Sequence, residues 1–359
     1  MLDVLESIAQ EPLLWAHLTQ TTKPIVLYGM GNGADQILDL CQELSIPVAG
    51  IFASDEFVRG QEFRGFTVKK YAEIQKELGD FIILIAFASE RPEILERFFH
   101  LAQLHETYAP HLPLLDEVQL VDEQWIHLYH RELAAVYENL ADDLSRQVFQ
   151  DILRYKLTGS LKYLQNVTQR REDLTTLLPL GPEESYLDLG AYNGDTLTEF
   201  LELTNHHYQH IYAVEPDPKN FRKLRHYVEE EQLRNCSLFQ KGIWRREGEH
   251  SFQAKGGRMS ALVSYGTDEV PLTTIDAISD GKPITYIKMD VEGAEKEALE
   301  GGAETIARCQ FKLLLAGYHY EMDLFALPLK LWELVPEYKI YLRRHPYVPC
   351  WEINFFVTK

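Results

Sequence analysis

The residues whose setting can do chemistry are Asp188, Glu215, Asp290 and His319. Asp188, Glu215 and Asp290 each end a short apolar run: Tyr186-Leu187, Ile211-Tyr212-Ala213-Val214 and Ile284 to Met289. His319 follows the run Phe311 to Leu315 by a few residues. Asp188 is followed by Gly190-Ala191-Tyr192-Asn193-Gly194-Asp195, and a helical stretch opens at Thr196-Leu197. Glycine lets the backbone turn with φ > 0 and lets a ligand approach closely. Glu215, followed by Pro216-Asp217-Pro218, is placed to accept hydrogen bonds from a ribose diol, as acids do in dinucleotide folds. The turn lacks a second Gly-x-Gly to cradle a pyrophosphate and carries an acid at the strand end instead. It suits a cationic, phosphate-free nucleoside, of which S-adenosylmethionine is the common one. The bland alternative is an ordinary strand–turn–helix with incidental acids.

Positioning these groups requires a layered sheet. Strands are expected at Tyr186–Leu189, Ile211–Val214, around Ser237–Trp244, at Ile284–Asp290 and at Phe311–Leu315. Helices are expected at Phe221–Glu230, after Glu295 up to Gly301-Gly302, and near Leu327–Leu334. Ser251–Gln253 and Ser260–Ser264 alternate around Gly256-Gly257 and read as an inserted hairpin. Leu272 to Asp276 reads as a strand-to-helix step. Tyr338–His345 and Trp351–Val357 read as two strands joined by the Pro346–Pro349 turn. Strands alternating with helices imply a parallel, doubly wound sheet.

The N-terminal part repeats the pattern. Residues 1–20 read as one amphipathic helix with Leu2, Leu5, Ile8 and Leu13 on one side. Strands are expected at Lys23–Tyr28, Ile46–Phe52, Phe66–Val68 and Phe81–Phe87. Helices are expected through Leu40 and Leu44, at Tyr71–Leu78 and at Glu93–Leu104. Gly29-Met30-Gly31-Asn32-Gly33-Ala34 fits the dinucleotide turn with alanine in third place, while Asp55 lies a little beyond the usual acid about 20 residues on. The readings for this unit are a scaffold or dimerisation domain, a nucleotide or nucleotide-sugar site, and a working NAD site. Residues 115–180 read as helical, with Val121, Trp125, Leu128, Leu133, Val136, Leu140 and Leu144 at helical spacing. The expected division is a Rossmann-like domain at 1–114, a packed helical connector at 115–180 and a second doubly wound domain at 181–359.

The chain has 359 residues and a formal net charge of −20, from 35 basic and 55 acidic side chains. That length allows two domains, each with its own core. The acidic balance argues against a general nucleic-acid binder, whose affinity rests on a basic footprint. Cys41, Cys236, Cys309 and Cys350 are far apart and read as reduced thiols of a cytoplasmic protein. The start, Met1 to Glu6, lacks the basic region of a signal peptide. The apolar run Phe81–Ala88 is too short to span a bilayer.

The second domain resembles the FkbM-family methyltransferases across roughly 140–357. The resemblance rests on Leu187-Asp188-Leu189-Gly190-Ala191-x-x-Gly194-Asp195, Val214-Glu215-Pro216, Leu272 to Asp276 and above all Ile287-Lys288-Met289-Asp290-Val291-Glu292-Gly293-Ala294-Glu295. Tyr318-His319 and Tyr341-Leu342-Arg343-x-His345 add to it. It implies a seven-stranded methyltransferase sheet ending in an antiparallel hairpin, and S-adenosylmethionine-dependent O-methylation of a sugar hydroxyl or related small molecule. The first domain is similar to Rossmann-type domains that accompany sugar-modifying enzymes. Ala316-Gly317 departs from the bulkier residues expected before Tyr318-His319.

On this reading Asp188 and the turn through Gly190, Ala191, Gly194, Asp195 and Thr196 hold the methionine portion of the cofactor. Glu215 holds the ribose, Gln240, Lys241 and Gly242 border the adenine, and Asp290 closes the site at the next strand end. Methyl transfer needs in-line approach of an oxygen, so alignment supplies much of the catalysis. A hydroxyl nucleophile also benefits from a base. His319 is the first candidate, since it titrates near neutrality; Asp290 and Glu292 follow. The bland alternatives are a histidine hydrogen-bonded at the sheet rim and helix N-terminal acids at Glu292 and Glu295. Asp290, His319 and His345 could converge on a divalent metal, but no compact ligand spacing supports such a set, and no metal is assigned. Arg343, Arg344 and Tyr341 face either an anionic acceptor or solvent. The competing function is a nucleotide- or nucleotide-sugar-binding module with a degenerate methyltransferase domain; a weaker one is an NAD-dependent oxidoreductase using 25–55. The expected partners are a small-molecule or carbohydrate acceptor and a second copy met through the first domain.

Overall fold

The computed structural model describes residues 2–112, 120–253, 261–262 and 268–359. Gly256, Gly257, Ser260, Val263 and Ser264 of the expected hairpin, and 115–119 of the expected helical stretch, lie outside them. The chain forms two compact units. One comprises Met1–Ala134, Arg146–Val167 and Arg344–Glu352; the other comprises Ala135–Ser145, Thr168–Arg343 and Ile353–Lys359.

The first unit is built on a six-stranded sheet in the order Glu62–Phe63, Phe66–Lys70, Val48–Ala53, Ile25–Tyr28, Ile82–Ile85, Glu106–Tyr108. Its strand pairs are parallel except the first, which is antiparallel. Ile25–Tyr28 and Ile82–Ile85 are buried throughout, which is why both read as unbroken apolar runs. The helix Asn32–Glu43 buries Ala34, Ile37, Leu38 and Cys41, the i, i+3, i+4, i+7 stripe of an amphipathic helix. A Cβ on Gly33 would sit 2.5 Å from the Ala86 carbonyl oxygen, so the small residue lets this helix pack closely. The expected single helix at 1–20 is two, Leu2–Ala9 and Leu14–Gln20. Pro12 lies in the break, and a proline disfavours helical geometry in the residue before it.

The second unit carries a seven-stranded sheet in the order Lys339–Arg344, Ile353–Thr358, Lys312–Ala316, Tyr286–Met289, Ser185–Leu189, His210–Val214, Cys236–Phe239. The five strands from Lys312–Ala316 onward in that order pair in parallel, and Ile353–Thr358 runs antiparallel to Lys312–Ala316. This is the α/β layout with the terminal antiparallel hairpin that the sequence implies. Phe239 ends the sheet strand, and Gly242–Ile243 joins a separate four-stranded sheet with Asp268–Thr273, Gly248–Gln253 and Ala261–Leu262. The helix expected near Leu327 begins earlier, at Asp323, with Pro328 inside it. Proline in a helix interior removes one hydrogen bond, which hides the helix start from a propensity reading.

Between residues 120 and 177 the chain is largely helical, but in several pieces: Glu123–Leu128, His130–Asn139, Asp143–Thr158 and Arg170–Leu177. Trp125, Leu133, Val136 and Leu140 are buried as the spacing predicts, whereas Leu128 and Leu144 are exposed. Breaks between helices reset the phase of the stripe, so one periodicity cannot run through all seven residues.

Candidate active site

Strand order in the second sheet reverses at Ser185–Leu189. The chain proceeds to His210–Val214 on one side and later returns to Tyr286–Met289 on the other. Ligands of open α/β sheets bind beyond the carboxyl ends of the strands at such a reversal. Register puts Asp188 beside Lys288 and Leu189 beside Met289, so Asp188, the Gly190 turn and Asp290 are brought to one place.

Asp188 is fully buried. Its Oδ2 accepts from the Thr196 hydroxyl, and Lys288 Nζ lies 3.8 Å from Oδ1. Oδ1 itself has no hydrogen-bond partner. Burial pushes the Asp188 carboxyl up, against the pull of Lys288 and Thr196. Lys288 donates instead to the Gly190 carbonyl at 2.9 Å. Gly190 has φ +83°, and a Cβ there would meet the Asp290 carbonyl oxygen at 1.9 Å. Gly194, at φ +97°, leaves the helix Asp195–Leu203 to begin against the Tyr227 ring, which a Cβ would meet at 2.6 Å. Both positions thus require glycine.

Glu215 is buried at the end of its strand. One carboxylate oxygen accepts from the Tyr192 backbone N–H and the other from that of Asp217, each at 2.9 Å. Burial raises its pKa to about 7, although these two bonds oppose the shift. Each oxygen retains a lone pair for a further donor. Asp217 caps the helix Pro218–Glu230 by accepting from Lys219 and Asn220. Lys241 is half-buried in the loop that leaves the sheet for Gly242–Ile243.

The third group surrounds His319, whose side chain is 2 % exposed. Its Nδ1 stands 3.1 Å from Glu295 Oε1, and its Nε2 lies 3.5 Å from both Asp290 Oδ1 and Glu292 Oε2. Glu295 is fixed by the N–H groups of Val291 and Gly293, at 2.9 and 3.0 Å. Burial disfavours a charged imidazole, but the three carboxylates outweigh it and hold the His319 pKa well above its ordinary value. A protonated imidazole has no lone pair with which to take a proton. Asp290 and Glu292 are partly exposed at this rim, 31% and 28%, while His319 is enclosed. Burial also raises the Glu292 carboxyl. Glu292 adopts φ +54°, an uncommon conformation for a non-glycine residue that is often found at functional sites. Gly317, just before Tyr318-His319, would drive a Cβ to 2.4 Å from the Phe355 ring. The small residue at this departure from the family pattern is thus required by packing from the antiparallel strand.

His345 belongs to the other compact unit. The described His/Asp/Glu residues that converge are Asp290, Glu295 and His319, with one ligand atom each within 4.8 Å of the others. Arg343 and Arg344 are buried rather than solvated. Arg343 is buried, donating to Ser145 at 2.9 Å and Asp142 at 2.6 Å, with Asp173 at 3.5 Å from Nε. Arg344 is buried against the carbonyls of Leu164 and Tyr347. A charged pair of residues at a strand end gives no sequence signal of which helix will cover it.

Two residues escape the sequence reading. Lys288 stands inside the apolar strand Tyr286–Met289, and a lone cation in a buried strand needs a partner; that demand was legible. Asn193 keeps a buried Oδ1 without a partner, and nothing in its sequence setting distinguishes it from an ordinary turn asparagine.

The methyltransferase FkbM domain model matches residues 188–348. Among solved structures, the chain is similar to methyltransferase FkbM from Methylobacillus flagellatus KT, at 21% identity and TM-score 0.77, over 99% of this chain and 97% of that one. At that identity the likeness is one of fold. Two smaller structures each match over 53% of this chain with TM-score 0.35. One is an rRNA methylase from Streptococcus thermophilus, at 13% identity over 93% of its chain; the other is a Streptococcus mutans protein solved with S-adenosylhomocysteine, at 14% over 97%. None of the curated proteins compared with the chain matches it. The span 188–348 that matches the methyltransferase FkbM domain model contains the glycine turn and the strand-end acids Asp188, Glu215 and Asp290.

Proposed function

We propose that the protein is an S-adenosylmethionine-dependent O-methyltransferase acting on a hydroxyl of a sugar or related small molecule. The observation that carries the cofactor assignment is the buried Asp188 Oδ1, an acceptor with no hydrogen-bond partner at the strand-order reversal. Such an atom is costly unless a donor arrives, and an ammonium group is a donor of the right charge. Glu215 fits the same ligand, because each of its oxygens can take one ribose hydroxyl beside its backbone donor. When bound, S-adenosylmethionine supplies an electrophilic methyl group. The residues of the chain then align and prepare the acceptor. Asp188, Gly190, Ala191, Gly194, Asp195 and Thr196 hold the amino-acid end, Lys241 borders the base, and Asp290 and Glu292 receive the hydroxyl and its proton. His319 holds those two carboxylates in place.

Thermal unfolding with S-adenosylhomocysteine, NAD and a sugar nucleotide, each added alone, tests the reading. A ligand at about a hundred times its dissociation constant stabilises the fold by about 2.7 kcal/mol. A rise in Tm with S-adenosylhomocysteine is expected. A shift only with NAD or the sugar nucleotide would overturn the reading in favour of a nucleotide-binding module. Transfer of labelled methyl from S-adenosylmethionine to a panel of sugar and non-sugar alcohols then tests the acceptor class.

A further inference from the structure

Lys288 stands in a strand whose four residues are all buried, Tyr286–Met289, and its side chain is 7% exposed. A methionine or leucine would fill that place without the desolvation cost of an ammonium. The Nζ atom donates to the Gly190 carbonyl at 2.9 Å and stands 3.8 Å from Asp188 Oδ1. The first distance is a hydrogen bond and the second is not, though Coulomb attraction still acts strongly at that range between groups removed from water. Register sets this arrangement, because Lys288 and Asp188 are paired residues of neighbouring parallel strands. Among the described residues, Asp188 forms an ion pair with no other basic side chain, and Glu215 forms none. Burial raises the Asp188 carboxyl, and Lys288 is the largest influence against it. Burial raises the Glu215 carboxyl too, and the charge of Lys288 is among the influences that oppose the rise. One ammonium thus acts on both buried acids of the site.

We propose that Lys288 is a positioning residue of the cofactor site: anchored on the Gly190 carbonyl, its ammonium keeps Asp188 charged while leaving Oδ1 open to the ammonium of a bound methionine portion. The Thr196 hydroxyl already occupies Asp188 Oδ2, and Oδ1 is the oxygen without a partner. A direct hydrogen bond from Lys288 would use up that acceptor. Tying Nζ to the turn instead supplies positive charge and leaves the acceptor free. The same bond fastens the glycine turn to the neighbouring strand. The groups that act on Asp188 are Lys288 from that strand, Thr196 and Asp195 from the helix Asp195–Leu203, and Tyr186 from its own strand. Lys288 is the cation among them. Without it, burial and the Asp195 charge both favour the protonated acid, and a neutral acid holds an ammonium poorly. The identity of the ligand rests on the methyltransferase reading; the hold of Lys288 on Asp188 does not.

The test is K288M in the full chain, which keeps the bulk of the side chain and removes its charge. Two quantities are measured against the unaltered protein. One is the titration of the Asp188 carboxyl without ligand, followed by ¹³C NMR of labelled aspartate and assigned with D188N. The other is S-adenosylhomocysteine affinity, measured by calorimetry across the neutral pH range. In K288M, Asp188 should hold its proton to higher pH than in the unaltered protein. S-adenosylhomocysteine should bind about tenfold more weakly near pH 6, the size of one charged hydrogen bond, and the deficit should narrow to about threefold or less near pH 9 as Asp188 ionises. K288Q, which keeps a donor for the Gly190 carbonyl, answers the same question if K288M does not fold. An unmoved Asp188 titration in the folded variant would overturn the proposal. So would a deficit equal at every pH, which marks Lys288 as a prop for the turn alone. A shifted Asp188 titration in a protein that binds no S-adenosylhomocysteine would uphold the hold of Lys288 on Asp188 and sink the cofactor assignment instead.

Discussion

A Cβ on Gly190 would lie 1.9 Å from the carbonyl oxygen of Asp290. The two residues follow neighbouring parallel strands, Ser185–Leu189 and Tyr286–Met289, so the glycine turn is pressed against the end of the strand that leads to Asp290. The obstacle is backbone, which cannot swing aside, and φ at Gly190 is +83°. Gly190→Ala should therefore cost about 2–4 kcal/mol of stability and lose S-adenosylhomocysteine binding together with it. Urea unfolding and calorimetry check this. A variant of normal stability and affinity would show that the turn is not as tightly held.

Asp188→Asn keeps the shape of the side chain and removes the charge. Binding of S-adenosylhomocysteine should weaken by about a hundredfold, equivalent to about 2.7 kcal/mol, since a hydrogen bond to a charged partner is among the stronger ones. Stability should fall too, because Lys288 loses its anionic neighbour at 3.8 Å. Undiminished methyl transfer by this variant would remove Asp188 from the cofactor site.

Glu215 sets a pH dependence. Its folded pKa is raised to about 7 by burial, above the usual value for glutamate. The protonated native state is therefore favoured: this contribution to stability is complete below the unfolded pKa and is lost as pH rises through about 7. Ribose hydroxyls donate best to the carboxylate, so cofactor affinity should run the other way, weakening by up to about tenfold per pH unit below 7. Calorimetric titration at several pH values checks the slope, and Glu215→Gln should flatten it.

Arg343 separates a structural role from an acceptor-binding one. It is buried between Asp142 and Asp173 and bonded to Ser145. Asp142 is itself partly buried, yet Arg343 and Ser145 hold its pKa at about 2. Arg343→Met strands buried carboxylates and should destabilise the protein by about 3–5 kcal/mol. Below its melting temperature the variant should show the acceptor KM of the unaltered enzyme. A raised KM with unchanged stability would return Arg343 to the acceptor site.

Much of the strand-and-helix order could be read from the chain because it depends on local causes. Unbroken apolar runs such as Ile82–Ile85 belong to parallel strands covered on both faces, and Tyr71–Leu78 is a helix that ends at a glycine with φ +72°. The readings that failed depended on interruptions and on partners distant in sequence. Pro12 splits one expected helix into two, and Pro328 conceals the start of another. Leu128 and Leu144 fit a periodicity that the breaks between helices do not preserve.

The same distinction runs through the site. The chain itself determines that acids end the strands at Asp188, Glu215 and Asp290, and that glycines at 190 and 194 permit the turn, because strand ends and positive φ are properties of a few consecutive residues. Only the tertiary structure decides that Lys288 meets the Gly190 carbonyl, that Arg343 is spent on Asp142, and that His319 is enclosed by Glu295, Asp290 and Glu292. The upward shift of the His319 pKa comes from the summed field of those carboxylates. That field exists only once strand pairing has carried Asp290 and the turn behind it alongside the strand that leads to His319.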